Sequence, residues 1–152
     1  MEKKEIKEKI SKGWVKASII FEIIGRPKEH IIEALNKLVE FLKQDKKLIL
    51  LSEKINEAMP VEDKELFSSF LEIEVLLESP TKAMEFVYDY MPSSIEIIEP
   101  TSFNLKLNDL NNLLNDSASK LHRYDALLKQ ANMEKQIIFN KLKEVQEKLK
   151  DK

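Results

Sequence analysis

The chain has no cysteine and only two glycines, Gly13 and Gly25, in 152 residues. Without cysteine there is no disulfide, no thiolate nucleophile and no cysteine-based metal site. Two isolated glycines cannot build a Gly-rich phosphate cradle. Histidine is as scarce: His30 and His122 stand alone, without the spacing of a zinc site. No apolar run approaches the ~18 residues of a membrane-spanning helix. Neither sign of charge dominates, with 25 Lys and Arg against 27 Asp and Glu and a net charge of −2. That balance gives no electrostatic reason to expect nucleic acid or an anionic membrane surface. The opening stretch, Met1 to Ile10, is charged and lacks the apolar core of a signal peptide, so the expectation is a cytoplasmic protein.

What is present first is a run of alternating segments. Residues 2–12 place Ile6 and Ile10 on one face among Lys and Glu, a short helix stopped at Gly13 or a frayed tail. Over 14–24, Val15, Ala17, Ile19, Phe21 and Ile23 alternate with Lys16, Ser18, Ile20 and Glu22, which is strand periodicity. Pro27 suits the first turn of a helix, and Ile31, Leu35, Leu38 and Leu42 follow at helical spacing through Gln44. A second strand spans 48–57 and turns charged quickly, as an edge does. A loop with Pro60 covers 58–64. The clearest strand is 65–78, with Phe67, Ser69, Leu71, Ile73, Val75 and Leu77 on one face and Glu72 and Glu74 on the other. Ser79 then caps a helix with Pro80 at its first position, Pro92 stops it, and Ser94–Glu99 is a last short strand before Pro100.

Strand, helix, strand, strand, helix, strand is the split βαβ order, so the fold class is α+β with a ferredoxin-like βαββαβ head over 13–100. The first and third strands should be central and the second and fourth edges. Two helices would cover one sheet face. The other carries Ile20 and Phe70 and needs cover of its own.

After Pro100 there is neither Gly nor Pro, and a seven-residue repeat takes over. With Leu107 at position a, the a sites are Leu107, Leu114, Leu121, Leu128, Lys135, Leu142 and Leu149. The d sites are Leu110, Ser117, Tyr124, Ala131, Ile138, Val145 and Lys152. A sustained heptad predicts a long helix from about Asn104 to Lys150, with a seam that requires a partner helix. Ser117, Tyr124 and Lys135 are off-type, and polar seam residues either fix register or sit at loosely packed layers. The stripe is broad, with Leu113 and Leu127 at g, Phe139 at e and Ile137 at c. A hairpin turning near Gln130–Met133 is therefore the alternative to one continuous helix.

The phrases Gly25-Arg-Pro-Lys-Glu-His30 and Tyr90-Met-Pro-Ser-Ser-Ile-Glu-Ile-Ile-Glu-Pro100 resemble a small archaeal protein family of uncharacterised function. That resemblance covers the head and the start of the helix and implies archaeal origin. In topology the head also resembles ACT-type regulatory domains, which implies amino-acid binding at subunit interfaces.

No catalytic constellation accompanies these elements, and no enzyme activity, cofactor or metal is expected. Glu72 with Glu74, and Glu96 with Glu99, read as solvated faces. Ser68 and Ser69 have no nucleophile elbow around them. Ser93-Ser94 reads as turn chemistry. Trp14, Tyr88, Tyr90 and Met91 are core-edge or interface aromatics and thioethers. Glu72 and Glu74 on the central strand would repel phosphate, which argues against the RNA binding that this topology often hosts. Two functional expectations result. One is a self-associating interaction protein, a homodimer or a partner-helix binder, assembled through Leu107, Leu110, Leu114, Leu121, Tyr124, Leu128, Ile138, Leu142, Val145 and Leu149. The other is an ACT-like sensor of an anionic metabolite, with Arg26 beside a helix N-terminus as the anion contact.

Overall fold

Period-two alternation sets the centre of the head. Val15, Ala17, Ile19 and Phe21 are buried along β1 (Val15–Gly25), and Leu71, Ile73, Val75 and Leu77 along β4 (Phe67–Leu77). Residues two apart share a face of a pleated strand, so both strands turn one apolar row toward the same core. The structure, a computed structural model, describes residues 1–61 and 65–150, with backbone alone for 149 and 150. β1 and β4 pair antiparallel in unbroken register, from Val15 opposite Leu77 to Gly25 opposite Phe67. β2 (Leu48–Ile55) adds outside β4 and β5 (Ser94–Glu99) outside β1, both antiparallel, in the order β2-β4-β1-β5. The two most apolar strands are thus central, and the strands that turn charged are at the rims. The loop expected over 58–64 is partly a strand: β3 (Met59–Pro60) pairs with Ser68 and Phe67 of β4. Residues 62–64 of that loop lie outside the described residues. Two residues with a proline carry no periodic signal, and the pairing exists because β4 overhangs the end of β2.

The helices follow from spacing and caps. α2 (Lys28–Gln44) buries Ile31, Leu35, Val39 and Leu42. Pro27, expected within the first turn, is instead its N-cap, and the helix begins at Lys28. α3 (Pro80–Tyr90) starts where Ser79 Oγ accepts the Lys82 N–H at 3.2 Å. It ends at Met91, left-handed at φ 47°, just before Pro92. α2 and α3 share one core with the inward rows of β1, β2 and β4. Of the two possibilities for the N-terminus, the helix is the one found: α1 (Lys3–Ser11) is closed by a reciprocal cap between Glu2 and Glu5. Gly13, at φ +96°, turns the chain from α1 into β1, a conformation other residues reach only with strain. Trp14 is half-buried, with Lys9 Nζ 4.0 Å from its ring centroid.

The opposite sheet face is partly covered. Leu76, which alternation points away from α2 and α3, is fully buried. Phe70 and Ile24 are exposed on that face, and Ile20 is half-buried.

The chain divides into two compact units, Met1–Lys106 and a second that begins at Leu107. The second is α4 (Leu107–Lys150), one helix of 44 residues and about 66 Å at 1.5 Å per residue. It runs unbroken through Gln130–Met133, where the hairpin alternative would have turned. It begins later than the expected Asn104, at the first residue of the heptad. Ser102 and Asn104, whose side chains compete with helix for backbone groups, stay outside it. The chain is therefore an α+β protein with an antiparallel sheet and a long C-terminal helix.

Candidate functional site

The seam of α4 is where apolar surface is left over. Leu107, Leu110, Leu114, Leu121, Tyr124, Leu128, Ile138, Leu142 and Val145 are all between 39 and 71% exposed. The side chain of Leu149 and the whole of Lys152 lie outside the described residues. Among the off-type positions, Ser117 is half-buried and donates to the Leu113 carbonyl oxygen at 2.6 Å. Lys135 and Ala131 are exposed. Leu127, Phe139 and Ile137, which widen the stripe, are exposed, as is Met133 at f. No described residue of α4 is buried.

Local contacts hold the helix itself. Asp125 and Lys129 form an i,i+4 ion pair at 2.7 Å. Gln130 donates to Glu134 at 2.9 Å and Gln136 to Asn140 at 3.2 Å. Pairs of this kind contribute about 0.2–0.5 kcal/mol each. They support helicity but do nothing for the Leu row.

Arg26 has a different neighbourhood from the one an anion site needs. Its Nη1 donates to Glu65 Oε2 at 3.0 Å, and both side chains are exposed. The guanidinium is matched to a carboxylate of the same chain. Loop pairing is the arrangement found.

The other candidate residues are also accounted for. Ser69 Oγ is buried and donates to the Asn56 carbonyl oxygen at 2.6 Å, tying β4 to the residue after β2. Ser68 Oγ donates to Glu22 at 2.7 Å across the β1–β4 pair. Ser93 Oγ accepts the Glu22 N–H at 3.0 Å, while the Ser93 N–H donates to the Ile20 carbonyl at 2.8 Å, so Ser93 fastens the start of β5. Glu74 pairs with Lys16 at 3.0 Å, and Glu72 accepts from Asn56 and faces Lys54 at 4.0 Å. His30 and His122 are exposed and belong to different units. Among the described residues no three His, Asp or Glu side chains gather as a metal ion requires. No described helix is long and apolar enough to cross a membrane.

Among the described residues, Tyr90 has the largest shift from its ordinary pKa. Its ring stacks on Phe86 with centroids 4.6 Å apart, and Phe86 in turn meets Phe21 at 6.2 Å. Its hydroxyl donates to Asp45 Oδ2 at 2.8 Å. Burial first, then the Asp45 hydrogen bond, pushes the phenol up to about 12. The cleft around it, lined by Asp45, Lys82 and Glu85 among others, encloses only about 10 Å³. That is room for about one water molecule, which needs ~10–15 Å³ by the same measure, and the Tyr90 hydroxyl acts as a clasp from α3 to Asp45 at the end of α2.

Compared with known proteins, the chain matches the model of the MJ0538 family over residues 16–151. That family is named after an archaeal protein of unknown function. The match extends the resemblance seen in the sequence, which was expected to stop near the start of the helix: the whole of α4 is a family feature. No curated protein and no solved structure gives a significant match.

Proposed function

The chain belongs to the MJ0538 family, and on that premise we propose that it is a self-associating interaction protein whose long helix forms a coiled coil. The observation that carries the reading is the uncovered a/d row of α4. Nine apolar or aromatic seam side chains, from Leu107 to Val145, are exposed in the single chain. At roughly 60–100 Å² apiece, the area equivalent of fully burying such a side chain, they offer ~500–900 Å² per chain. A stable interface buries about 800 Å² per partner. A heptad row of this length in water favours a second helix over solvent. The family match through residue 151 also favours a shared role for the helix over an idiosyncratic tail.

The head is best read as a ferredoxin-like unit. The order β2-β4-β1-β5, with the two-residue β3 set aside, supports that reading, as do α2 after β1 and α3 after β4. In this assignment the head is what the coiled coil carries, and a homodimer is the simplest assembly.

Light scattering on the full chain tests the proposal. The expected mass is twice 17.8 kDa or a higher multiple, and a chain ending at Thr101 should lose that multiple. A full chain that scatters as one copy at all concentrations would end the self-association reading.

A further inference from the structure

We propose that α4 pairs with α4 of a second copy in parallel and in register. The inference rests on the self-association above and adds its direction and alignment.

The residues flanking the seam decide the direction. In a parallel pair, each g residue faces the e residue five positions further on in the partner. Here Leu113, Lys120, Leu127, Glu134 and Lys141 at g face Ala118, Asp125, Asn132, Phe139 and Gln146 at e. Lys120 with Asp125 of the second copy is an attraction, made twice by symmetry, and no facing pair is like-charged. In an antiparallel pair, g faces g and e faces e. With the seams fully overlapped, Leu128 against Ala131, Lys120 meets Lys141 twice. Sliding by one heptad sets Lys120 against Glu134 but brings the two Asp125 side chains together and shortens the seam. Asp125 also holds Lys129 of its own helix at 2.7 Å, and a carboxylate accepts from more than one donor.

The interior fits the same alignment. Leu faces Leu at 107, 114, 121, 128 and 142. Ser117 and Tyr124 make polar layers, and the charged layer inside the seam sets Lys135 against Lys135, with Glu134, one residue earlier at g, flanking it from the second copy. The Glu134 carboxylates offset that repulsion in this alignment, and a single polar a residue specifies register at a cost in stability.

The absence of cysteine makes the test clean. Ser117→Cys changes one atom at a d position. In the parallel alignment the two introduced thiols share a layer. In the fully overlapped antiparallel one, residue 117 faces residue 142, and the like positions stand roughly 40 Å apart along the axis, far beyond the ~7 Å Cα separation a disulfide spans. The full-length variant is oxidised mildly, alone and mixed with full-length Leu142→Cys, and the crosslinks are mapped. Near-complete 117–117 crosslinking, independent of dilution within the dimer range, is expected. A dimer that gives 117–142 crosslinks and no 117–117 crosslink overturns the direction and leaves self-association standing. A chain that light scattering finds monomeric overturns both. As a second reading, Lys120→Glu should weaken the dimer several-fold, and adding Asp125→Lys should restore it; no change in either variant overturns the assignment of the flanking pair.

Discussion

Leucine is treated in opposite ways by the two units of this protein. In the head, Leu35, Leu42 and Leu71 are completely buried, each held between a helix and the sheet. In α4, Leu107, Leu121 and Leu128 are more than three-fifths exposed. The residue type and the hydrophobic driving force are the same, and what differs is geometry. A sheet with two helices on it closes a core within one chain. A single helix has a face but no interior, and its face can be buried only against something else. The head closes a core of its own, whereas α4 leaves its apolar row exposed.

That contrast is broken most severely by charge in the seam. Leu121→Asp with Leu128→Asp should reduce the assembly to single chains, because each buried unpaired carboxylate costs on the order of several kcal/mol. Light scattering should then give one copy, while head unfolding, followed by Trp14 fluorescence, should keep its midpoint once dissociation is allowed for. Unchanged mass would mean the seam does not drive assembly. The converse substitution is Leu35→Ala. It should cost the head about 2–5 kcal/mol through lost burial and a cavity, lowering the urea midpoint of the Trp14 signal. Crosslinking through α4 should persist. If both units respond equally to either change, they are not independent and the comparison fails.

Much of this division was legible in the sequence because both halves are periodic. The alternation of residues 15–23 and 67–77 marks the central strands, since each second residue faces the core. The seven-residue repeat marks α4, since only a helix brings Leu114, Leu121 and Leu128 onto one line. What was illegible depends on distance along the chain or on the lack of a period. Arg26 meets Glu65 across 39 residues, and nothing local to Arg26 announces a carboxylate already in place. Leu76 breaks alternation: its number points it to the acidic face, yet it is fully buried, because that end of the face is covered. β3 has two residues and no pattern at all. The delayed start of α4 depends on where helix propensity overtakes the turn preference of Ser102 and Asn104, a boundary that composition sets only to within a few residues.

A smaller effect sharpens the comparison at the level of one cap. Ser79→Ala removes the acceptor for the Lys82 N–H and should cost about 1 kcal/mol. The loss should appear only in the head: a lower midpoint for the Trp14 signal and faster amide exchange in α3, with exchange in α4 unaltered. Protection lost equally from α4 would show that its stability is borrowed from the head.

The smallest effect is confined to alkaline solution and to one clasp. Tyr90 donates to Asp45 and packs on Phe86, and its phenol is raised to about 12, against about 10 in an unfolded chain. The folded head therefore holds this proton more tightly than the unfolded chain does. By linkage, the stability it contributes is fully present below pH ~10 and is lost as pH rises through about 12. Tyr90→Phe keeps the ring stack and removes the hydroxyl. It should be less stable than the parent at pH 8 by about 1 kcal/mol, the net value of a hydrogen bond. The gap should then close between pH 10 and 12, because the parent alone loses the contribution. Urea unfolding of both proteins at pH 8 and 11.5 checks this by difference, which removes the lysines that titrate in the same range. A gap that stays constant would place the Tyr90–Asp45 bond outside the unfolding reaction. An equal change in α4 helicity would again deny that the head and the helix answer to separate forces.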